Sequence, residues 1–157
     1  MKQDRFLTGI LIGIAVLVVV ALVVFFIRRD TQTYISEDVP EGVVHNYVLA
    51  VLNDDYDRAY GYLADLENKP SFEQFRNAFV TGVVNPENSA VDVGASETNQ
   101  DTASVEVAIL YNPGDPFSTG YRDVQRAILV RQDEAWKLSS MPTYYFWDYS
   151  WYPYLPK

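Results

Sequence analysis

The sequence predicts an α+β protein: an N-terminal transmembrane helix, then helices packed on a curved antiparallel sheet of about four strands, then an aromatic C-terminal tail. Three observations predict it. Residues Phe6–Ile27 form an uncharged run of 22. Beyond Asn85-Pro86 the apolar spacing changes from the helical period of about 3.6 to the strand period of about 2. Finally, 8 of the 14 residues from Tyr144 to Lys157 are aromatic.

The first run, FLTGILIGIAVLVVVALVVFFI, is about 33 Å long as a helix, enough for a hydrocarbon core about 30 Å thick. A cleaved signal peptide would have a shorter apolar region followed by a small-residue cleavage site. Here the run ends in Phe25-Phe26-Ile27-Arg28-Arg29, so residues 1–29 read as an uncleaved anchor. Lys2 and Arg5 on one side nearly balance Arg28 and Arg29 on the other, and the positive-inside rule gives little preference. A short N-terminal tail before a large distal domain favours an extracytoplasmic C-terminus. Gly9 and Gly13 form one G-x-x-x-G, a spacing that lets two helices approach closely and makes them candidate packing positions for a homodimer or a partner helix.

Residues 30–37, DTQTYISE, read as a polar stalk. Asp38-Val39-Pro40-Glu41 then combines a capping carboxylate with an early proline and glutamate, the ingredients of a helix start. Val43, Val44, Tyr47, Val48, Val51 and Leu52 give helix 40–53 one apolar face. A second helix over about 55–64 turns Tyr56, Ala59, Tyr60 and Leu63 inward. Ser71-Phe72-Glu73-Gln74 is a capping box that opens a third, to about Val80. In the β half, Val91, Val93 and Ala95 alternate with polar neighbours, as do Ala103, Val105, Val107, Ile109 and Tyr111. Val124–Arg131 and Ala135–Met141 complete the meander, with a tight turn at Asp133-Glu134.

Charge and composition exclude several classes of function. The chain has 157 residues, 12 basic and 21 acidic side chains, one histidine and no cysteine. Disulfide scaffolds, zinc-thiolate sites and cysteine nucleophiles are therefore excluded. Residues 30–157 hold 8 basic and 20 acidic side chains, a net charge of −12. Such a domain repels phosphate backbones and anionic lipid headgroups, so no nucleic-acid partner is expected.

NDDYDRAYGYL (Asn53–Leu63) resembles the helix–turn–helix opening of nuclear-transport-factor-2-like domains, also called ketosteroid-isomerase-like or cystatin-like. RQDEAWKLSS (Arg131–Ser140) resembles their last turn and tryptophan-bearing strand, and the order of elements over 38–141 is similar. The resemblance extends to small bacterial membrane-anchored members. It implies a cone-shaped pocket between helices and sheet, in which the enzymes of that superfamily hold an Asp or His base beside hydroxyl donors. It implies no shared chemistry.

No matched position carries an active-site residue across. His45 falls on the margin of the apolar helix face, and Asp92 and Asp123 occupy positions expected to face solvent. Asp54, Asp55, Asp57, Asp65 and Glu67 suggest a calcium loop. From Asp55, however, loop positions 5, 6 and 12 are Ala59, Tyr60 and Leu66, which break the EF-hand pattern. No catalytic residue, metal ligand or cofactor-binding residue is nominated, and no cofactor is expected.

The tail remains: Tyr144, Tyr145, Phe146, Trp147, Tyr149, Trp151, Tyr152 and Tyr154, with Pro142, Pro153 and Pro156 keeping residues 142–157 out of long regular structure. It can fold back over the sheet or pocket mouth. It can also present a partner-binding strip, since Tyr and Trp are enriched at interface cores, stack on sugar rings, or rest at a membrane interface. The function expected is that of a non-catalytic single-pass membrane protein, bound to the bilayer through Phe6–Ile27. Its acidic domain would dock on a protein partner, as an accessory or assembly subunit of a membrane complex. The alternatives are a membrane-tethered domain binding an apolar or carbohydrate ligand, and an isomerase- or dehydratase-like enzyme.

Overall fold

A computed structural model describes residues 5–27, 32–86, 89–111, 121–142 and 145–152, with the side chains of 8–24 in the first stretch. Two compact units result, Met1–Thr33 and Tyr34–Lys157.

The first unit contains α1, Arg5–Ile27, a helix of 23 residues. Its side chains are exposed throughout 8–24. Among the described residues no helix is long and apolar enough to cross a membrane. The transmembrane span expected over Phe6–Ile27 thus lacks support from the described residues. A Cβ placed on Gly9 or Gly13 would meet nothing within 4 Å.

The second unit is α+β. It comprises α2 (Pro40–Leu52), α3 (Tyr56–Gly61) and α4 (Phe72–Val80), then β1 (Ser89–Asn99), β2 (Thr102–Tyr111), β3 (Arg122–Gln132) and β4 (Ala135–Ser140). The strands form one antiparallel meander in the order β1-β2-β3-β4. Its inner face carries Val105, Val107, Ile109, Ala127, Leu129 and Leu138, packed against Val43, Val44, Tyr47, Val51 and Phe75 of the helices. The edge of β4 is covered by residues 62–64: Ala64 N–H donates to the Leu138 carbonyl, and Leu138 N–H to that of Tyr62.

Local signals account for most of these boundaries. The Ser71 hydroxyl accepts from Gln74 N–H and the Gln74 side chain from Ser71 N–H, closing the capping box that starts α4. Asp133 and Glu134 both adopt positive φ, 49° and 65°, the conformation of a two-residue hairpin turn.

Four expectations are corrected. The cap of α2 is Val39 with no side-chain hydrogen bond, because the Asp38 carboxylate is held by the Ser36 hydroxyl instead. The second helix is shorter than 55–64, because Leu63 leaves it to bridge Leu138. Ala95 is exposed rather than inward, because a bulge between Val93 and Ser96 adds one residue and moves Ser96 onto the inner row. Residues 34–37 belong to the domain rather than to a free stalk; the Asn46 amide binds both backbone groups of Ile35.

Candidate functional site

Helix α2 packs on β1, β2 and β4, with α3 beside α2 and α4 beside α3. The chain's own tail joins the core that they form with the sheet. After Met141 and Pro142, both buried, Phe146, Trp147, Trp151 and Tyr152 enter the core, and Phe146 is 0% exposed. Trp147 stacks on Tyr152 with ring centroids 5.5 Å apart and meets Trp151 edge-on at 5.1 Å. Trp151 lies 5.0 Å from Phe75 and 6.0 Å from Phe79 of α4. Such offset and edge-on contacts add about 0.5–1.5 kcal/mol each beyond the area buried.

Two tyrosine hydroxyls tie the tail to the backbone. Tyr47 of α2 donates to the Phe146 carbonyl at 2.6 Å, and Tyr152 donates to the Ala64 carbonyl at 2.5 Å. Each bond gives a donor to the carbonyl of a fully buried residue. Burial, helped by the neighbouring Tyr152, raises the Tyr47 phenol well above its ordinary value. Burial likewise raises Tyr152, with Tyr60 and Asp65 adding to it. Both groups stay neutral donors through the physiological range.

Of the partner-strip candidates, Phe146, Trp147, Trp151 and Tyr152 therefore face inward and cannot offer their rings to a partner without leaving the core. Tyr145 is half-buried against Tyr111, with centroids 5.1 Å apart. Tyr149 is 60% exposed. Tyr144 and Tyr154 lie outside the described residues.

The acid–base candidates do not converge. His45 is half-buried on α2. Asp92 is exposed on the outer face, paired with Arg122 at 3.4 Å. Asp123, expected to face solvent, is half-buried on the row of Ile109, because its register partner is that residue; its carboxylate accepts from Gln125. The acidic run is spent on local structure. Asp55 caps α3 by accepting from Arg58 N–H, and Asp54, at φ 57°, accepts from the Tyr56 hydroxyl at 2.7 Å. Burial, then the Asp54 contact, pushes the Tyr56 phenol up to about 12. Among the described residues no group of three or more His, Asp or Glu could hold a metal ion.

Two open clefts adjoin this run. One, of about 300 Å³, is lined by Asp54, Tyr56, Phe79 and Thr81 among others; the second, of about 420 Å³, by Asp55, Tyr56, Phe72 and Arg76 among others.

Sequence reasoning missed three polar residues that organise the helical side. Glu41 of α2 accepts from the Ser96 hydroxyl and amide across the bulge, and the hydroxyl contact holds its carboxylate below the usual range. Asn46 is fully buried. Arg58 lies 3.4 Å above the Tyr34 ring and bonds the Tyr62 hydroxyl. Glu41 and Asn46 have partners remote in sequence, and Arg58 adds Tyr34 and Glu37 to a neighbour four residues on, Tyr62. An asparagine inside an otherwise apolar helix face was the one available hint.

No protein-family model matches the chain, and no curated protein matches it. Among solved structures it is similar to an uncharacterized cystatin fold protein from Novosphingobium aromaticivorans. The TM-score is 0.41 at 10% identity, over 62% of this chain and 92% of that one.

Proposed function

We propose that this chain is a non-catalytic, single-pass membrane protein whose acidic distal domain docks on a protein partner, as an accessory or assembly subunit of a membrane complex. The observation that carries the reading is the tail. A ligand-binding or catalytic domain of this architecture needs room between helices and sheet, and here Phe146, Trp147, Trp151 and Tyr152 take that room. What is left for function is the outer surface, with its net charge of −12 over residues 30–157.

The anchor reading rests on the 22 uncharged residues Phe6–Ile27. Charged side chains at a helix centre cost about 2.5–3.5 kcal/mol each in a bilayer, and this run has none. The assignment to nuclear-transport-factor-2-like domains rests on Asn53–Leu63, Arg131–Ser140 and the element order. An extracytoplasmic distal domain is part of this proposal.

The test is extraction of the full chain in a mild detergent, followed by native sizing and identification of what travels with it. A stable assembly containing a second membrane protein is the expected result; a clean monomer with no companion sinks the docking reading. A cysteine placed at Ser150 reports the side of the membrane, since the chain has no other cysteine. Labelling of intact cells by an impermeant maleimide is expected, and labelling only after lysis reverses the topology.

A further inference from the structure

The inner face of the sheet changes character along β3. Alternate residues of a strand share a face, so Leu129, Ala127, Gln125 and Asp123 form one row. Leu129 and Ala127 are 0% exposed, whereas Tyr121, two residues before Asp123, is 69% exposed. Tyr121 extends the pairing of β2 with β3: its carbonyl accepts from Tyr111 N–H at 3.0 Å. The two rings form a cross-strand pair with centroids 5.8 Å apart. Tyr145 of the tail also meets Tyr111, edge-on at 5.1 Å. Asp123 joins them: burial raises the Tyr111 phenol, and Tyr145, Asp123 and Tyr121 add to it. Three phenols and a carboxylate therefore share one corner of the domain.

Elsewhere the chain covers half-buried tyrosine rings with its own cations. Arg58 lies 3.4 Å above Tyr34, and Lys69 lies 4.8 Å from the Tyr60 centroid. Among the described residues no lysine or arginine lies over Tyr111, Tyr121 or Tyr145. The nearby cations of β3, Arg122 and Arg126, belong to the opposite row and pair with Asp92 and Glu97 at 3.4 and 3.2 Å. Ring faces carry the negative side of the aromatic quadrupole, and Asp123 adds a full negative charge. The field of residues 30–157, at −12, draws cationic groups to this corner. It repels anions, and it repels a second copy of the same domain.

We infer that the corner of Tyr111, Tyr121 and Tyr145 is the surface on which the protein partner docks, and that it receives a lysine- or arginine-bearing segment of that partner. The inference rests on the docking reading above and deepens it. The incoming cation lies over the exposed Tyr121 ring, with Asp123 as its counter-charge. Tyr111 and Tyr145 are themselves packed against the core. The surface behind Tyr121 is thus formed before the partner arrives, and little ordering is left for binding to cost. Tyrosine against arginine is also a pairing that interface centres favour, because a planar guanidinium stacks on a ring while it bonds a carboxylate.

The test has two arms, both on the full chain in neutral detergent micelles. In the first, the amides of Tyr111, Tyr121 and Asp123 are followed by NMR as the peptide acetyl-Gly-Arg-Gly-amide is added. Saturable shifts at these amides are expected, and none from the counterpart with glutamate in place of arginine. Tyr121→Leu keeps an apolar side chain and loses the ring, and is expected to weaken the arginine peptide at least about threefold; Tyr121→Phe should stay within about twofold. Undiminished binding by Tyr121→Leu, or shifts spread over the acidic surface without focus here, overturns the cation site. Saturable shifts from maltotriose with none from the arginine peptide overturn it in favour of a carbohydrate. In the second arm, Tyr121→Leu is expected to lower the partner retained on native sizing about tenfold. Val83→Ser, at a site 63% exposed beyond α4, should retain it in full. A partner kept by Tyr121→Leu, or lost equally from both variants, overturns the corner while the docking reading stands. A clean monomer of the unaltered chain sinks the docking reading and the partner with it, whereas focused binding of the arginine peptide in that sample leaves the cation site standing.

Discussion

Residues 8–24 of α1 turn isoleucine, leucine and valine outward along their whole length, whereas residues 146–152 turn most of their aromatics inward. Leu17 is 69% exposed and Phe146 is 0% exposed. Both stretches are strongly hydrophobic, so composition does not separate them. Their geometry does. A helix that is apolar on every face has no polar side to leave in water, so packing one stripe against a domain would still strand the rest. The tail is short and broken by prolines, so each ring can be aimed separately. Two tyrosine hydroxyls among the packed residues, on Tyr47 and Tyr152, satisfy the carbonyls the tail buries. A stretch of the first kind leaves apolar side chains exposed on every face, and one of the second kind becomes part of the core.

Three changes break or sharpen that contrast. Trp147→Ala removes the ring shared by Tyr47, Trp151 and Tyr152, and should lower unfolding stability by about 3–5 kcal/mol with membrane association unchanged. Chemical denaturation followed by near-ultraviolet circular dichroism measures it. A loss below about 1 kcal/mol would mean that the tail lies on the domain without belonging to its core. Val16→Arg, in the middle of α1, should disfavour bilayer insertion by about 2.5–3.5 kcal/mol and leave the unfolding of the distal unit where it was. Alkaline extraction of membranes separates the two effects, and equal extraction of both proteins would remove the contrast.

The smallest effect concerns the hydroxyl that holds the tail. Tyr47→Phe leaves the Phe146 carbonyl without its donor and should cost about 1–3 kcal/mol at pH 7. The pH dependence follows from the raised phenols. A tyrosine whose folded value lies above its unfolded value of about 10 contributes stability that is present below pH 10 and lost as pH climbs toward the folded value. The unaltered domain should therefore weaken above about pH 10, through Tyr47 and Tyr152. The variant should show a shallower decline. Parallel declines in the two proteins would show that Tyr47 does not drive the alkaline limb.

The elements most readable in advance were those with partners close in sequence. Ser71 and Gln74 cap α4 from three residues apart, and the alternation of Ala103, Val105, Val107 and Ile109 survives because β2 is a central strand with neighbours on both sides. Reading failed where a residue had two suitors. Asp38 could cap a helix or bind Ser36, and it binds Ser36. Ala95 belonged to an alternating run until one inserted residue turned it outward. The partners of Asn46, and the Tyr34 and Glu37 contacts of Arg58, form only when Tyr34–Glu37 folds back on α2 and α3.

By itself the sequence determined what nearest-neighbour chemistry decides: a 22-residue uncharged run, helices before strands, the capping box and the hairpin turns, and the acidity of residues 30–157. Which way the aromatic tail faces, and that the segment ahead of α2 is fastened rather than free, were decided by the tertiary structure alone. The physical reason is the same in each case. Burial and hydrogen-bond satisfaction are properties of a shared volume, and residues tens of positions apart settle them jointly only once the sheet has closed against the helices.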